Sequence, residues 1–369
     1  MVIREGSMEG LVMDPDFWRG RRVLLTGHTG FKGSWLSVWL QQLGAHVTGF
    51  ALHPPTRPNL FEAASIARGM RSLTGDVRDL ASLRATVADA APEIILHLAA
   101  QALVRRSYEA PVETYSSNVI GTANLLEAVR NSSARAIVVV TSDKCYDLLV
   151  GDKRYRENDA LGGSDPYAAS KAGAELVTAS YRASFGGTSV TASLPPVASA
   201  RAGNVIGGGD WAQDRLMPDL LAAFSHSATA SVREPDAVRP WQHVLDPLRA
   251  YLMLAQQLVQ HGDRVAEAWN FGPGASSEWP VQAVCDEAAL AWGGEARWQA
   301  DRTPHPHEAP VLRLDSEKAR TRLGWFTRIP LREAIAHTVR WHKAFAATGD
   351  AGRLMHETLE EFALHPVRA

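Results

Sequence analysis

The chain has 369 residues, of which 46% are hydrophobic and 21% are charged, and its formal net charge is -2 at pH 7. This composition supports a large buried core and excludes the strongly basic surface on which nucleic-acid binding depends. Two cysteines cannot form a disulfide framework, and the sequence contains no apolar run of the ~18 residues that a membrane span needs. We therefore expect a cytoplasmic protein whose partners are neither nucleic acid nor a membrane.

Strands and helices alternate along the first 200 residues. Short apolar runs predict the strands, and amphipathic patterns predict the helices between them. The strands are predicted at residues 23–25, 45–52, 70–75, 94–98 and 136–141, and the helices at residues 33–42, 80–90, 112–131 and 166–185. Strands that are buried on both faces and separated by helices indicate a parallel sheet, and right-handed crossovers make the Rossmann arrangement the simplest topology.

The pattern loosens beyond residue 200, where prolines and the glycines at 207–209 separate shorter elements. Helices are predicted near residues 247–260, 281–292 and 331–348. The expected fold class is α/β, a doubly wound parallel Rossmann sheet with a smaller C-terminal α/β substrate-binding lobe. We place a mobile tail at 1–16, the dinucleotide-binding domain with the catalytic residues at 17–200, and the substrate lobe mainly at 201–369, interleaved with the sheet.

Three glycines follow the first predicted strand at the spacing G-x-x-G-x-x-G. Gly27 permits a tight turn, Gly30 lets the backbone approach a pyrophosphate, and Gly33 allows close packing of the next helix. The N-terminus of that helix offers free N–H groups and the positive end of its dipole to a phosphate. The residues predicted to bind a dinucleotide in this loop are Gly27, Thr29, Gly30, Phe31, Lys32 and Gly33.

The next strands predict further cofactor contacts. Asp76 and Val77, after the third strand, are candidates for contact with adenine, and Ala99, Ala100 and Gln101, at the end of the fourth, are candidates for contact with the nicotinamide half.

The second strand lacks the acidic residue that binds a ribose 2′-hydroxyl in many such folds. Lys32 and Arg57 lie nearby in sequence and favour a 2′-phosphate instead. The residues alone therefore leave NAD and NADP open as cofactors.

Tyr167 and Lys171 are four residues apart in a predicted helix, so they share one face. The unperturbed pKa of tyrosine, about 10, is too high for a base at neutral pH, and a nearby cation lowers it. We expect Lys171 to lower the pKa of Tyr167 and to hold the nicotinamide ribose. Tyr167 then accepts a proton from a sugar hydroxyl as hydride leaves the same carbon.

Ser142, Asp143 and Lys144 follow the fifth predicted strand. The carboxyl ends of parallel strands are where such sheets bind ligands. Ser142 is a candidate to hydrogen-bond the reacting sugar oxygen, whereas Asp143 and Lys144 add an acid and a base that hydride transfer alone does not need. A helix cap or a surface ion pair after a strand is the structural alternative.

These segments resemble the NAD-dependent epimerase/dehydratase family of extended short-chain dehydrogenases, and within it the CDP-glucose 4,6-dehydratases. The resemblance spans residues 17–342 and is carried by residues 26–36, 141–146, 165–167, 201–211, 239–243 and 270–273. Related dTDP-glucose dehydratases have Asp-Glu where this chain has Asp143 and Lys144, so the lysine favours the CDP-sugar branch. The chain departs from the family pattern at residues 184–200.

The resemblance implies NAD as cofactor and the conversion of CDP-D-glucose to CDP-4-keto-6-deoxy-D-glucose and water. Tyr167 deprotonates the C4 hydroxyl, Asp143 protonates the departing C6 hydroxyl, and Lys144 either removes the C5 proton or holds a water. A lysine is a base only in its uncharged form, which burial and the charge of Lys171 favour. A role in deoxysugar biosynthesis, as for the lipopolysaccharide O-antigen, and a homodimer through the helices at 112–131 and 167–185 are also implied.

A nucleotide diphosphate requires cations and oriented hydrogen-bond donors. The predicted substrate contacts are Asn204, Arg215, Arg239, His243 and His307. Asn204 precedes glycines whose N–H groups face a pyrophosphate, and Arg239 is the leading candidate for a phosphate contact. A proline separates His305 from His307 and argues against the helical spacing of a zinc pair, so no metal is predicted.

Two other classes of function remain open from the sequence. Another extended short-chain enzyme, such as a sugar-nucleotide epimerase or a dehydratase of a dTDP-, UDP- or GDP-sugar, shares the glycine loop, Tyr167 and Lys171. An epimerase has no need of Asp143 and Lys144. A non-catalytic dinucleotide sensor is expected to lose the tyrosine–lysine pair, which this chain keeps.

Overall fold

The described part of the chain is an α/β fold built around one parallel sheet. A computed structural model describes residues 13–148, 153–187, 190–305 and 309–365. The strands are β1 (Arg22–Thr26), β2 (His46–Ala51), β3 (Arg71–Thr74), β4 (Ile94–His97), β5 (Ala136–Val140), β6 (Arg154–Tyr155), β7 (Val197–Ala202), β8 (Asn204–Ile206), β9 (Thr229–Val232), β10 (Val238–His243), β11 (Ala268–Phe271), β12 (Glu278–Pro280), β13 (Arg297–Ala300) and β14 (Arg313–Leu314). The helices are α1 (Phe31–Gln42), α2 (Leu60–Ala63), α3 (Leu80–Ala90), α4 (Val104–Glu109), α5 (Pro111–Tyr115), α6 (Gly121–Val129), α7 (Pro166–Phe185), α8 (Leu216–Ser225), α9 (Leu245–His261), α10 (Val281–Trp292), α11 (Glu317–Leu323), α12 (Leu331–Thr348) and α13 (Ala351–Leu364).

Seven parallel strands form the central sheet, in the order β11-β7-β5-β4-β1-β2-β3. Its middle strands are mostly apolar because helices cover both faces: in β4, Ile94, Ile95 and Leu96 have no exposed surface. The first five predicted strands coincide closely with β1 to β5, and the fold-class prediction is confirmed. The order reverses beside β1, which puts the carboxyl ends of β1, β4 and β5 at the ligand-binding edge of the sheet.

The long helix predicted at 112–131 is not one α-helix. A π-helical segment, Ser116–Ile120, separates α5 from α6, and α6 ends at Val129. The π segment presents the buried Asn118 to two partners at once: its side-chain N–H donates to the Gln101 carbonyl oxygen (2.9 Å) and to Ser170 Oγ (2.8 Å). Buried amides need such partners, and π segments of this kind often occur near functional sites.

Helix α7 begins with a strong capping sequence. The Asp165 carboxylate accepts a hydrogen bond from the Ala168 N–H (2.8 Å), and Pro166 occupies the first turn, where its missing N–H costs nothing. The helix runs twenty residues to Phe185 as predicted, and it carries Tyr167 and Lys171 in its first two turns.

A buried ion pair joins α7 to the sheet. Glu175 Oε2 and Arg201 NH2, on α7 and β7, are 2.7 Å apart, and both side chains are 3% exposed. Glu175 also accepts hydrogen bonds from Ser199 Oγ (2.7 Å) and from the Thr141 hydroxyl at the end of β5. Arg201 in turn donates to the Tyr146 hydroxyl (2.8 Å). The pair therefore fixes the catalytic helix against two strands.

The residues beyond 200 build smaller sheets and also return to the central one. One three-stranded sheet has the order β12-β10-β8, two-stranded sheets pair β13 with β9 and β14 with β6, and β11 extends the central sheet beside β7. This arrangement agrees with an interleaved second lobe, while the division at residue 200 stays a prediction. Within the described ranges, none of the helices is both long and apolar enough to cross a membrane.

Replacing only one residue of the Glu175–Arg201 ion pair is predicted to destabilise the protein more than replacing both. Arg201→Met leaves the Glu175 carboxylate buried without its countercharge, and we expect the free energy of unfolding in urea to fall by about 3–5 kcal/mol. The double variant Glu175→Leu/Arg201→Met removes both charges and is expected to recover part of that loss. Arg19→Met, which breaks an exposed pair with Asp16, is the control and should change little. Equal losses in the single and double variants would contradict this reading.

Candidate active site

The glycine loop between β1 and α1 has the shape of a phosphate cradle. Gly27 has φ +77°, and a Cβ added there would lie 2.7 Å from the Ala99 nitrogen. A Cβ on Gly33 would lie 2.0 Å from the Gly27 carbonyl oxygen, so two of the glycines are required by the protein's own packing. Gly30 is different, because its Cβ would meet only that carbonyl oxygen, at an ordinary 3.5 Å. The missing side chain at Gly30 therefore leaves space in front of the α1 N-terminus, which suits a pyrophosphate.

The other predicted cofactor residues line the same edge of the sheet. The Ala99 N–H donates to Thr26 Oγ1 (3.2 Å), and the Gln101 N–H donates to Asn118 Oδ1 (2.8 Å). Thr29 Oγ1 donates to the Leu52 carbonyl oxygen (2.9 Å), which closes the loop onto the end of β2.

Asp76, Val77, Phe31 and Ala100 complete the predicted cofactor set. The carboxylate of Asp76 is engaged by Arg78 at 2.9 and 3.0 Å, and Val77 is buried. Phe31 begins α1, and Ala100 comes three residues after the end of β4, so both lie at the carboxyl edge of the sheet.

Ser142, Asp143 and Tyr167 meet beyond the end of β5. Ser142 Oγ donates to Asp143 Oδ1 (3.0 Å), and a hydrogen bond joins the side chains of Ser142 and Tyr167. Asp143 is 3% exposed and its Oδ2 has no hydrogen-bond partner among the described residues. Burial raises the pKa of Asp143, against the lowering effects of Lys144 and Ser142. This carboxyl group is therefore held toward the protonated form that a general acid needs.

Desolvation is the largest influence on the pKa of Tyr167. Burial raises the pKa of Tyr167 to about 12, and the hydrogen bond with Ser142 and the charge of Arg215 oppose that rise. The Nζ of Lys171, one turn further along α7, donates to the Val140 carbonyl oxygen at 3.5 Å. Burial also lowers the pKa of Lys171 to about 8. Desolvation therefore dominates at the phenol, and the effect of Lys171 on the pKa of Tyr167 stays a prediction.

Lys32, in the glycine loop, also lies close enough to Lys171 and Asp143 for their charges to act on it. Its Nζ is 3.5 Å from the hydroxyl of Tyr251, a fully buried residue of α9. Burial lowers the pKa of Lys32 to about 7, helped by the positive charges of Arg215 and Lys171 and opposed by Asp143. These are the two conditions, burial and the charge of Lys171, that a lysine base requires.

Two of the predicted substrate residues border the pocket. Arg215 precedes α8, and its NH1 is 3.0 Å from Asp210 Oδ2, with a third of the side chain exposed. Asn204 opens β8 and is partly buried, directly after Gly203, where an added Cβ would lie 3.2 Å from Asp143 Oδ2. Asn204 therefore borders the space around Asp143, and the charge of Arg215 acts on Tyr167.

The other three predicted substrate residues, Arg239, His243 and His307, are not placed in the same way. Arg239 is 4% exposed and its NH1 donates to the carbonyl oxygens of Val238 (3.0 Å) and Pro310 (3.4 Å), although its charge still acts on Asp143. His243 is 1% exposed and packs edge-on against His337, with ring centroids 6.2 Å apart, so the structure does not bring it together with the predicted catalytic residues. His307 lies outside the described residues.

Sequence reasoning missed several residues that shape the site. Tyr251 and Glu175 lie on elements separated in sequence from their partners Lys32 and Arg201, so spacing gave no signal for these contacts. Asp210 lies only five residues before its partner Arg215, in a segment without a regular period. A buried glutamate inside α7 was the one visible cue, because a charged residue on an apolar face implies a partner.

The parallel sheet, the glycine loop and the tyrosine–lysine helix beside a strand end define a dinucleotide-dependent enzyme of the short-chain dehydrogenase type. The family model described as GDP-mannose 4,6 dehydratase matches residues 24–338. The chain belongs to this family.

Individual relatives agree with that assignment. A CDP-glucose 4,6-dehydratase of Salmonella typhimurium is 49% identical over 336 residues, which cover 90% of this chain and 94% of the relative. A UDP-glucose 4-epimerase of Halalkalibacterium halodurans is 25% identical, with coverage of 87% and 95%. Among solved structures, a double mutant of a dTDP-glucose 4,6-dehydratase of Streptomyces venezuelae, with NAD bound, is 25% identical, covers 87% of this chain and 97% of its own, and superposes with a TM-score of 0.73.

Proposed function

We propose that this chain is a CDP-glucose 4,6-dehydratase that uses NAD to convert CDP-D-glucose to CDP-4-keto-6-deoxy-D-glucose and water. The observation that carries the proposal is the buried Asp143 carboxyl, hydrogen-bonded to Ser142 beside Tyr167, since dehydration needs an acid that simple hydride transfer does not. The 49% identity to a CDP-glucose 4,6-dehydratase supports the choice of substrate.

The glycine loop and its neighbours would hold the cofactor. The N–H groups of the first turn of α1, beside Gly30, face the pyrophosphate, and Lys171 holds the nicotinamide ribose. Ala99 and Gln101, just after the end of β4, would contact the nicotinamide half of the cofactor. NAD would supply the hydride acceptor, taking hydride from C4 of the sugar and returning it to C6, and its positive charge would favour the phenolate form of Tyr167.

Tyr167 accepts the proton of the C4 hydroxyl, while Ser142 hydrogen-bonds the same oxygen. The 4-keto group that results acidifies the proton on C5. Asp143 then protonates the C6 hydroxyl, so that it leaves as water. The unpartnered Oδ2 of Asp143, with space kept open by Gly203, is the oxygen that supports this role.

Two lysines are candidates for the base that removes the C5 proton. Lys144 follows Asp143 directly, and its backbone N–H donates to Ser142 Oγ (3.2 Å). Lys32 meets the requirement for an uncharged amine, because its pKa is lowered to about 7 by burial first and then by two neighbouring cations. We therefore assign proton removal at C5 to Lys32 and charge compensation of Asp143 to Lys144.

The nucleotide half of the substrate is proposed to lie across the second lobe. Arg215 is the better-supported phosphate contact, because a third of its side chain remains exposed at the pocket. Asn204, on β8, is proposed as a second contact with the nucleotide half of the substrate. Arg239 is buried and acts on Asp143 through its charge. The substrate contacts of His243 and His307 remain predictions.

A homodimer is part of the proposal. Several large apolar side chains on the predicted dimer helices are exposed: they are Val112 (80%), Leu176 (59%), Ile120 (52%) and Tyr115 (41%). Apolar groups clustered in this way favour association with another surface, and a second copy of the chain offers the same helices. The two free cysteines, both buried, are compatible with the reducing cytoplasm in which we propose that the enzyme works.

The substrate prediction is tested by incubating the purified protein with the glucose conjugates of CDP, dTDP and UDP and with GDP-mannose. We expect only CDP-glucose to turn over rapidly, with the alkaline absorbance of a 4-keto-6-deoxy sugar and loss of the C6 hydroxyl. Rapid turnover of only one of the other nucleotide sugars would contradict the substrate assignment but not the proposed mechanism. An epimer that retains its C6 hydroxyl would contradict the reaction.

The two lysines are separated by matched substitutions. Lys32→Met is expected to lower kcat for dehydration by about 10²–10⁴-fold, since it removes a general base, while reduced nicotinamide still forms in a single turnover. Lys144→Met is expected to lower kcat far less.

The pH dependence provides a further check on Lys32. A lysine acts as a base only when it is uncharged, so kcat/KM of the wild type should fall as the pH drops below about 7. This decrease at low pH should be absent in Lys32→Met. The reverse pattern, with a severe defect in Lys144→Met and a mild one in Lys32→Met, would assign the base to Lys144.

A further inference from the structure

Two histidines and a glutamate converge where the last two helices meet. Glu333 and His337 are one turn apart on α12, and His365 follows the end of α13. Glu333 Oε1 lies 2.9 Å from His365 Nε2 and 3.5 Å from His337 Nε2. The three potential ligand atoms all lie within 4.8 Å of one another.

We propose that Glu333, His337 and His365 bind a single transition-metal ion, with Zn²⁺ as the expected occupant. Tetrahedral Zn²⁺ has bonds of about 2.0–2.2 Å to imidazole nitrogen and carboxylate oxygen, which separates neighbouring ligand atoms by roughly 3.3 Å. The two measured separations are within a few tenths of an ångström of that value. Water completes the fourth position, as it does in other sites with three protein ligands.

A carboxylate lies near the second nitrogen of His337. This nitrogen, Nδ1, is 3.9 Å from Glu361 Oε2, and Glu361 is itself held by Arg340 at 2.7 Å. The contact is longer than a hydrogen bond, so Glu361 offers charge compensation to a bound ion and becomes an outer-shell partner of the ring if the two groups close by less than about 1 Å. Burial lowers the pKa of His337, which favours the uncharged imidazole that binds metals.

Packing holds this ring in place from the other side. His243, 1% exposed at the end of β10, lies edge-on against His337, and His337 and His365 have ring centroids 6.2 Å apart. The ion would carry two positive charges, of which Glu333 neutralises one and Glu361 offsets the other from the outer shell.

The role that follows for the ion is structural. It would join the chain after α13 to α12, and α13 packs its Phe362 edge-on against Trp39 of α1, the helix that begins at the glycine loop. Metal binding would therefore stabilise the C-terminal helix against the dinucleotide-binding half. Sequence spacing gave no sign of the site, because His365 is remote from the helical Glu333–His337 pair.

The alternative to a metal is a set of ion pairs between Glu333 and protonated histidines. The two arrangements respond oppositely to pH, because ion pairs need charged imidazoles whereas a metal needs neutral ones. An experiment that varies both metal and pH separates them.

The test uses the full chain without an affinity tag, stripped with a chelator and titrated with Zn²⁺ at pH 7.5 in a calorimeter. We expect one ion per chain and a rise in Tm of several degrees at saturation. His365→Gln and Glu333→Gln should abolish both effects, and Glu361→Gln should weaken affinity by about tenfold. Co²⁺ bound in place of Zn²⁺ should give visible absorption bands typical of low coordination number.

His342→Gln is the matched control, since His342 lies on the same helix but contacts Trp292 instead of the cluster. It should bind Zn²⁺ as the wild type does. The metal-free variants should have the Tm of the metal-free wild type, which separates loss of binding from loss of folding. The proposal is overturned if the wild type binds no stoichiometric Zn²⁺, if His365→Gln binds it equally well, or if Zn²⁺ stabilises more strongly at pH 5.5 than at pH 7.5.

Discussion

The buried ion pair between Glu175 and Arg201 is the contact on which the geometry of the active site depends. Two charges that are each 3% exposed carry a large desolvation penalty, and that penalty is met only because both groups are well supplied with further hydrogen bonds. One partner lies on the helix that carries Tyr167, and the other lies on a strand of the central sheet. The pair thereby fixes how far the tyrosine stands from the strand end that carries Ser142 and Asp143.

Desolvation also sets the chemistry of the pocket. It raises the pKa of Asp143 and of Tyr167 and lowers that of Lys32 to about 7, so burial pushes an acid, a phenol and an amine all toward their neutral forms. A neutral carboxylic acid and a neutral amine are the pair that elimination of water requires at moderate pH. An enzyme that only moves hydride between a sugar and a dinucleotide needs neither, which is why the pocket favours dehydration over epimerisation.

The sequence predicted what local patterns and strand order determine. The strands β1 to β5 and the helix α7 followed from apolar periodicity, and the position of Ser142 and Asp143 at the carboxyl end of β5 followed from the predicted strand order. The features that the sequence did not predict share one cause, which is that they depend on contacts between segments that are separate along the chain. The packing that raises the pKa of Tyr167, the approach of Tyr251 to Lys32, and the π segment that places Asn118 all depend on neighbours that spacing along the chain does not indicate.

The central claim is that hydride leaves C4 of the sugar and returns to C6 within one active site, while water is lost between. CDP-glucose labelled with deuterium at C4 tests this most directly, with the product followed by NMR. The account predicts a 4-keto-6-deoxy sugar with the deuterium in its C6 methyl group and a solvent-derived hydrogen at C5. Deuterium that stays at C4 of a sugar with an intact C6 hydroxyl, or that is lost to solvent, would contradict it.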